Sequence, residues 1–348
     1  MSIEQLVPDF AIKINGAPFT AGRPDLISLA VNEKLDTASI ATFTFVTWDT
    51  RNNELTWIDD SRFKIGNTAT IELGYVDALE PLIDGEITGL EASFAAGGTP
   101  TFTVIVTDMS HRLLRHRRSS VYLNMKDSAI ASQIASGAGL SAMVDDTVVT
   151  LPYVYQNNMT DMSFLLERAL RIGYEVFVID KKLYFNKRSD SVASTTLAWN
   201  TDLLEFSPSL YSHGQVKSVQ VRGWDYIKKE AIVGQSSAVT KKLGAKDGKS
   251  AISSFGEADH VVVKYPVSSK AEADKMAQGI LDDLSLEFIN AIGMCYGNPQ
   301  VRMGKVVTLS ELGTRFSGDY YITSATHHYS PKHGYRTTFN ARRNASGK

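Results

Sequence analysis

The first hundred residues alternate. In PDFAIKING, Phe10, Ile12 and Ile14 fall on one side against polar neighbours, and the run ends at Asn15-Gly16, a hairpin signal. SIATFTFVTWD sets Ile40, Thr42, Thr44 and Val46 on one side and Ala41, Phe43, Phe45 and Thr47 on the other, which predicts a strand partly covered on both faces. ATIELGY, PLIDGEITGLEASF and TPTFTVIVTD continue the pattern, with Gly97-Gly98 as a turn before the last. Strands in this number fit a barrel or sandwich better than an open sheet, because closure removes exposed edges.

Near residue 108 the period becomes helical. Ile130, Ile134 and Ala138 share a face in AIASQIASGAGL, with Asp127 or Ser128 as its cap. DMSFLLERALRIG is clearer: Thr160 is the predicted N-cap, Phe164, Leu165, Ala169 and Ile172 the packing stripe, and Gly173 the stop. YEVFVIDKKLYFNKR then gives two strands around Asp180-Lys181-Lys182. Strands return with DLLEFSPSL and QVKSVQVRGWD, where Gly223 marks a bulge or a close approach. Residues 234–258 are small, polar and Gly/Ser/Lys-rich, which predicts an exposed loop. After the strand HVVVKYPV, Ser268 or Ser269 starts a helix with Ala273, Met276, Ile280, Leu284 and Phe288 at helical spacing. The pattern predicts a mainly β protein with α+β insertions, its second β region interrupted.

Composition narrows the function classes. The 348 residues suit two or three domains. A net charge of −2 gives no global reason for nucleic-acid binding. MSIEQLVPDF shows no signal peptide and no apolar run is long enough for a bilayer, so synthesis in the cytoplasm and no integral membrane insertion are expected. The single Cys295 excludes an internal disulfide and a thiolate-rich metal site, and its apolar setting predicts a buried small hydrophobe.

Candidate chemistry concentrates in RFSGDYYITSATHHYSPKHGYRTTFNARRN. His327 and His328 are neighbours, so on a strand they face opposite ways and do not share a metal, although Asp319 and His333 lie near. GxSxG, Walker A, GxGxxG and HExxH motifs are missing, and Glu167 and Glu175 form no recognisable acid/base pair. No catalytic residue, cofactor, metal or small-molecule substrate is therefore expected. HRLLRHRRSS places Arg112, Arg115, Arg117 and Arg118 at a domain boundary, either as a patch for an acidic partner surface or as a solvated connector with salt bridges. Few aromatics interleave, which argues against nucleic acid.

Three ordered segments carry a more specific signal: DMSFLLERALRIGYEVFV (161–178), SPSLYSHGQVKSVQVRGWD (207–225), and CYGNPQVRMGKVVTLSELGTRFSGDYYITSATHHYSPKHGYRTTFNARRN (295–344). Together they resemble the phage late control D family. That family comprises the gp27-like tail hub of contractile phages, the matching hub of phage-like contractile injection systems, and the N-terminal part of type VI VgrG spikes. The resemblance covers essentially the whole chain. It implies two related β-barrel domains, about 1–107 and 201–235 with 295–344. A middle α+β domain would occupy 108–200, and an insertion with flexible loop, strand and helix 236–294. It also implies a homotrimeric baseplate ring that matches a six-fold inner tube, or tube-initiator proteins, to a three-fold spike, with wedge proteins around it. VgrG chains continue into a spike whereas this chain stops at Lys348, so the spike is expected to be a separate protein. The resemblance brings no catalytic residues.

Structural and interface candidates follow from these segments: Arg222, Gly223 and Trp224; Gly304; Arg315 and Phe316 with Gly318 and Tyr320, which begin the return strand; and Tyr335 in the closing strand. Tyr320, Ile322 and Ser324 are expected on one face, Tyr321, Thr323 and Ala325 on the other, with His327 and His328 near the hairpin turn where a partner can reach them. The leading expectation is a structural hub in a phage tail or phage-tail-like particle. The alternative is a tail-associated cell-wall hydrolase.

Overall fold

Asn15 and Gly16 both take positive φ, 51° and 80°, and turn β1 (Pro8–Ile14) back onto Ala17–Pro18. This computed structural model describes residues 7–188, 193–256 and 258–347. β2 (Leu26–Lys34), β3 (Ile40–Val46), β4 (Thr68–Tyr75), β5 (Ala78–Ser93) and β6 (Thr101–Asp108) follow, all antiparallel, in the order β2-β3-β6-β5-β4-β1. Alternation places Phe10, Ile12, Ile14, Ala41, Phe43 and Phe45 inside, as the pattern predicts, against Ile71, Leu73, Val104 and Val106.

The middle unit pairs β7 (Arg117–Met125) with β9 (Leu151–Thr160) and carries helix α1 (Asp127–Gly137) between them. β8 (Ser141–Val144) joins β10 (Tyr174–Ile179) and β11 (Lys182–Lys187) in a second small sheet. Helix α2 (Asp161–Arg171) starts as expected: Thr160 Oγ1 accepts from Ser163 N at 3.2 Å, and Gly173 turns the chain at φ 68°. α1 differs, because Lys126 is its N-cap and makes no side-chain cap bond. The Asp127 carboxylate is engaged elsewhere, accepting from buried Arg168 at 2.6 Å.

The second unit contains β12 (Thr195–Ala198) and β13 (Leu203–Leu210). β14 (Ser218–Asp225), β15 (Glu230–Ser236), β16 (Asp259–Val262) and helix α3 (Lys270–Leu286) then interrupt it. It resumes with β17 (Ile289–Tyr296), β18 (Val306–Ser310), β19 (Gly318–Ser330) and β20 (Gly334–Arg343). Its order is β13-β17-β20-β19-β18-β12.

Four expectations are corrected. Residues 218–236 do not enter this sheet. β14 pairs with β15 and β16, and Val219, Val221 and Ile232 share a core with the middle unit and α3. The expected loop at 234–258 is pinned where it is described. Lys246–Asp247 pairs with Ala345–Ser346, Leu243 N donates to Asn344 Oδ1 at 2.8 Å, and Thr240 N donates to Asp282 Oδ1 at 2.8 Å. Arg315 and Phe316 close a single helical turn, Gly313–Phe316, rather than opening the return strand. α3 ends at Leu286, and Phe288 is buried beyond it in the second unit's core.

The two β units repeat each other strand for strand. In chain order, β1 to β6 take the same sheet positions as β12, β13, β17, β18, β19 and β20. Irregularities coincide. β2 and β13 both bulge after Leu-Leu-type starts, at Ile27 and Leu204, and β5 and β19 both bulge at Ile-Thr, at Thr88 and Thr323. Gly66 and Gly304 hold the same left-handed turn, with φ 93° and 74°, and donate to Ile87 O and Ile322 O, each at 2.9 Å. One difference is that β1 runs antiparallel to β4 whereas β12 runs parallel to β18. β19 also pairs with β2, fusing the units into one 13-stranded sheet. Among the described residues its pairings branch at β19 and stay open; neither unit closes into a ring of paired strands.

Candidate interaction surfaces

The seam between the β units is built around the closing hairpin. Ser324–Tyr329 of β19 pairs with Leu29–Lys34 of β2. The bulge at Thr323 shifts the alternation, so Ala325 joins Tyr320 and Ile322 in the second unit's core while Tyr321 packs on Phe177 and Met303. This corrects the expected placement of Ala325. His327 then points inward with 0% exposure, and only His328 is exposed, so a partner cannot reach the pair. His327 Nδ1 lies 2.7 Å from the Tyr335 hydroxyl and 3.2 Å from Thr337 Oγ1. Burial, with the Arg302 cation nearby, pushes the His327 pKa down to about 3; burial pushes Tyr335 up.

Glu33 and Arg302 lock the same seam. Arg302 Nε donates to Glu33 Oε1 at 2.9 Å, and its Nη2 donates to Leu82 O at 2.6 Å. Tyr75 adds a bond to Gly297 O at 2.9 Å. Sequence reasoning missed this pair, yet a signal was present: Glu33 continues the inward series of Leu29 and Val31, where an unpaired charge is costly.

A second buried network joins the middle unit to the sheet. Arg188 donates to Glu175 Oε1 at 2.9 Å and to Asp283 Oδ1 at 3.0 Å, and the Tyr321 hydroxyl donates to the other Glu175 oxygen. Burial raises the Glu175 pKa, opposed by Arg188. Burial also opposes the Arg188 charge, but the Glu175 and Asp283 carboxylates hold its proton more tightly than usual. The network borders a cleft of about 680 Å³. Cys295 is buried, as expected, and its thiol is pushed up to about 12, which does not suit a nucleophile. Among the described residues no group of three or more His, Cys, Asp or Glu side chains is placed to hold a metal, and no helix is long and apolar enough to cross a membrane.

The basic run is largely committed within the chain. Arg112 and His111 share Glu86, His111 Nε2 at 2.7 Å. Burial would raise the Glu86 pKa, but the Arg112 guanidinium and the hydrogen bonds from Arg112 and His111 hold it below its ordinary value. Arg118 Nε donates to Asp161 Oδ1 at 2.6 Å and Arg117 Nη1 to Asn158 O at 3.0 Å. Arg115 is exposed in the cleft of about 770 Å³ that Arg112 and Arg118 also line.

The remaining candidates separate into a surface and a support. Arg222 and Trp224 stand on the outer face of β14, Trp224 60% exposed, next to exposed Tyr226 and Ile227 at the hairpin tip. Gly223 faces Val267, which fills the space a side chain would need. Gly318, at φ 135°, leaves room for Arg343, whose guanidinium lies over the Tyr320 ring at 5.3 Å; the Tyr320 hydroxyl donates to Phe316 O at 2.8 Å. Arg315 is exposed, whereas Phe316 packs on the second unit's core.

Several solved structures share this architecture. The 43 kDa tail protein of prophage MuSo2 from Shewanella oneidensis has a TM-score of 0.72 at 14% identity, over 97% of this chain and 98% of its own. A tail protein from Neisseria meningitidis has a TM-score of 0.68 at 13% identity, over 97% of both chains. An Escherichia coli component of the type VI secretion system, described as structurally similar to bacteriophage T4 tail proteins gp27 and gp5, has a TM-score of 0.62 at 13% identity. That match spans 95% of this chain and 76% of its own. No curated protein matches the sequence. The fold is the mainly β, gp27-like tail-protein fold that was expected. The family described as the Alg8 N-terminal domain matches residues 4–331, and the chain belongs to that family.

Proposed function

We propose that the chain is a structural, non-enzymatic baseplate hub of late control D type, in a phage tail or phage-derived injection particle. Three copies form a ring. The inner tube or its initiator proteins lie above, a separate spike protein lies below, and wedge proteins surround it. The observation that carries this reading is the strand-for-strand repeat of two β units within one chain. A chain with two like units presents six of them in a trimer, which meets a six-fold ring on one side and a three-fold body on the other. The likeness to tail proteins supports the same reading.

Native mass measurement of a hub–spike complex, or of the particle, tests it: three copies are expected. A monomer that binds neither tube nor spike protein overturns it. Peptidoglycan digestion by the purified chain would favour a cell-wall hydrolase instead.

A further inference from the structure

The β units meet within the chain along one seam, and their repeat implies a second. β19 pairs with β20 on one edge. Its other edge is shared: Gly318–Tyr321 pairs with β18, and Ser324–Tyr329 pairs with β2 of the first unit. Its counterpart β5 pairs with β6 on one edge and, over Ala78–Glu86, with β4 on the other. Past the Thr88 bulge, Gly89–Ser93 has no strand on that second edge among the described residues. Among the described residues β13, the counterpart of β2, forms a ladder only with β17, apart from an isolated bridge between Leu203 and Trp199, whereas β2 pairs with both β3 and β19. One copy therefore carries both halves of an unused seam, near opposite ends of its sheet.

The side chains fit the missing pairing. Leu90 and Ala92 are paired with core residues Val104 and Phe102, so they point to the core face, and Phe94 continues the series. Leu90 and Phe94 are nevertheless 36% and 61% exposed, and Ala92 is exposed. Their counterparts are Ala325, His327 and Tyr329. β2 covers the first two completely, and Tyr329 lies against Phe10 with ring centroids 5.0 Å apart. On β13 the core-face series is Phe206, Pro208 and Leu210, each only part-buried.

We infer that β5 of one copy pairs antiparallel with β13 of the next, in the register of the internal seam. Transferring that register sets Leu90 opposite Leu210, Glu91 opposite Ser209, Ala92 opposite Pro208, Ser93 opposite Ser207 and Phe94 opposite Phe206. This rests on the hub reading, because a contact between two different edges closes only when copies form a ring. Apolar side chains meet on the inner face, and Glu91 and the serines remain outside. Pro208 has no N–H, so the Ala92 pair gains one ladder bond rather than two. A proline on this edge also discourages pairing with unrelated strands.

Engineered thiols test the register, because the native Cys295 has 0% exposure. Mild oxidation of a Glu91→Cys/Ser209→Cys variant should give covalent dimers and closed trimers, in the chain alone or in assembled particles. Glu91→Cys/Glu205→Cys, displaced four residues or about 13 Å along the strand, should give neither. Ala92→Lys should lose the trimer while the melting temperature of the single chain stays unchanged, since Ala92 is exposed there. Trimers by mass that fail to cross-link at 91 and 209, or that survive Ala92→Lys, overturn the pairing and leave the hub reading standing. A chain that never oligomerises, alone or with tube and spike proteins, overturns both.

Discussion

His327 shows how burial decides a residue's chemistry. In the sequence it stands beside another histidine, an arrangement that suggests ligands. In the fold it is sealed between β20 and β2, neutral, with its Nδ1 near two hydroxyls. Its folded pKa, about 3, lies below the ordinary histidine value of about 6.5. The unfolded chain therefore binds a proton at this position before the folded chain does. Stability from this group is complete above pH 6.5 or so and is lost as pH falls toward 3. Denaturant unfolding at pH 7.5, 6 and 5 should show that loss before most carboxylates titrate. His327→Gln should cost about 1–3 kcal/mol at pH 7.5 by disturbing the buried hydroxyls, and should flatten the pH dependence between 6.5 and 5. An unchanged slope would place the titration elsewhere.

At the scale of strands, the repeat is hidden because large and small residues have changed sides. In the first unit Phe43 on β3 faces Val104 on β6; at the equivalent pair Gly293 on β17 faces Phe339 on β20. The Phe339 ring occupies the space a Gly293 side chain would need. Gly293→Val should therefore destabilise by about 1–3 kcal/mol, and Phe339→Val in the same chain should recover part of that loss. Chemical denaturation of the two single variants and the double variant measures the coupling; additive losses would refute the compensation. Such swaps also explain which elements were legible. α2 was readable to its cap, since Thr160, the apolar stripe and Gly173 all act locally. β1 and β3 followed their alternation. The Ala325 placement failed at a bulge that adds one residue, and the sheet membership of residues 218–236 failed because a β-branched run does not specify its neighbours. Alternation can flag Glu33 as a buried carboxylate but cannot name its partner Arg302, 269 residues away. Arg188 and Glu175 lie only 13 residues apart across one hairpin, while their hydroxyl partner Tyr321 stands 146 residues from Glu175.

For the whole molecule, the cores divide differently from the chain order. One core joins the middle unit to β14, β15 and α3, including Ile130, Leu165, Val221 and Met276, while the β units keep their own around Phe43 and Ile322. The Tyr321 hydroxyl, donating to Glu175, crosses between these bodies, as do the Lys181–Asp84 pair and a small buried cluster of Phe177 with Met303 and Tyr321. In the proposed hub this division would let the sheet keep its seam when the helical body loosens. Ile130→Ala should test it. The residue is 1% exposed in the middle core, and its truncation should cost about 2–5 kcal/mol. Amide exchange should then accelerate together across β7 to β11, β14, β15 and α3, by about thirtyfold or more, with β1 to β6 at their original rates. Equal acceleration in β3 and β6 would mean that the chain opens as one cooperative body, and in the proposed hub any adaptation would then lie between copies rather than within them.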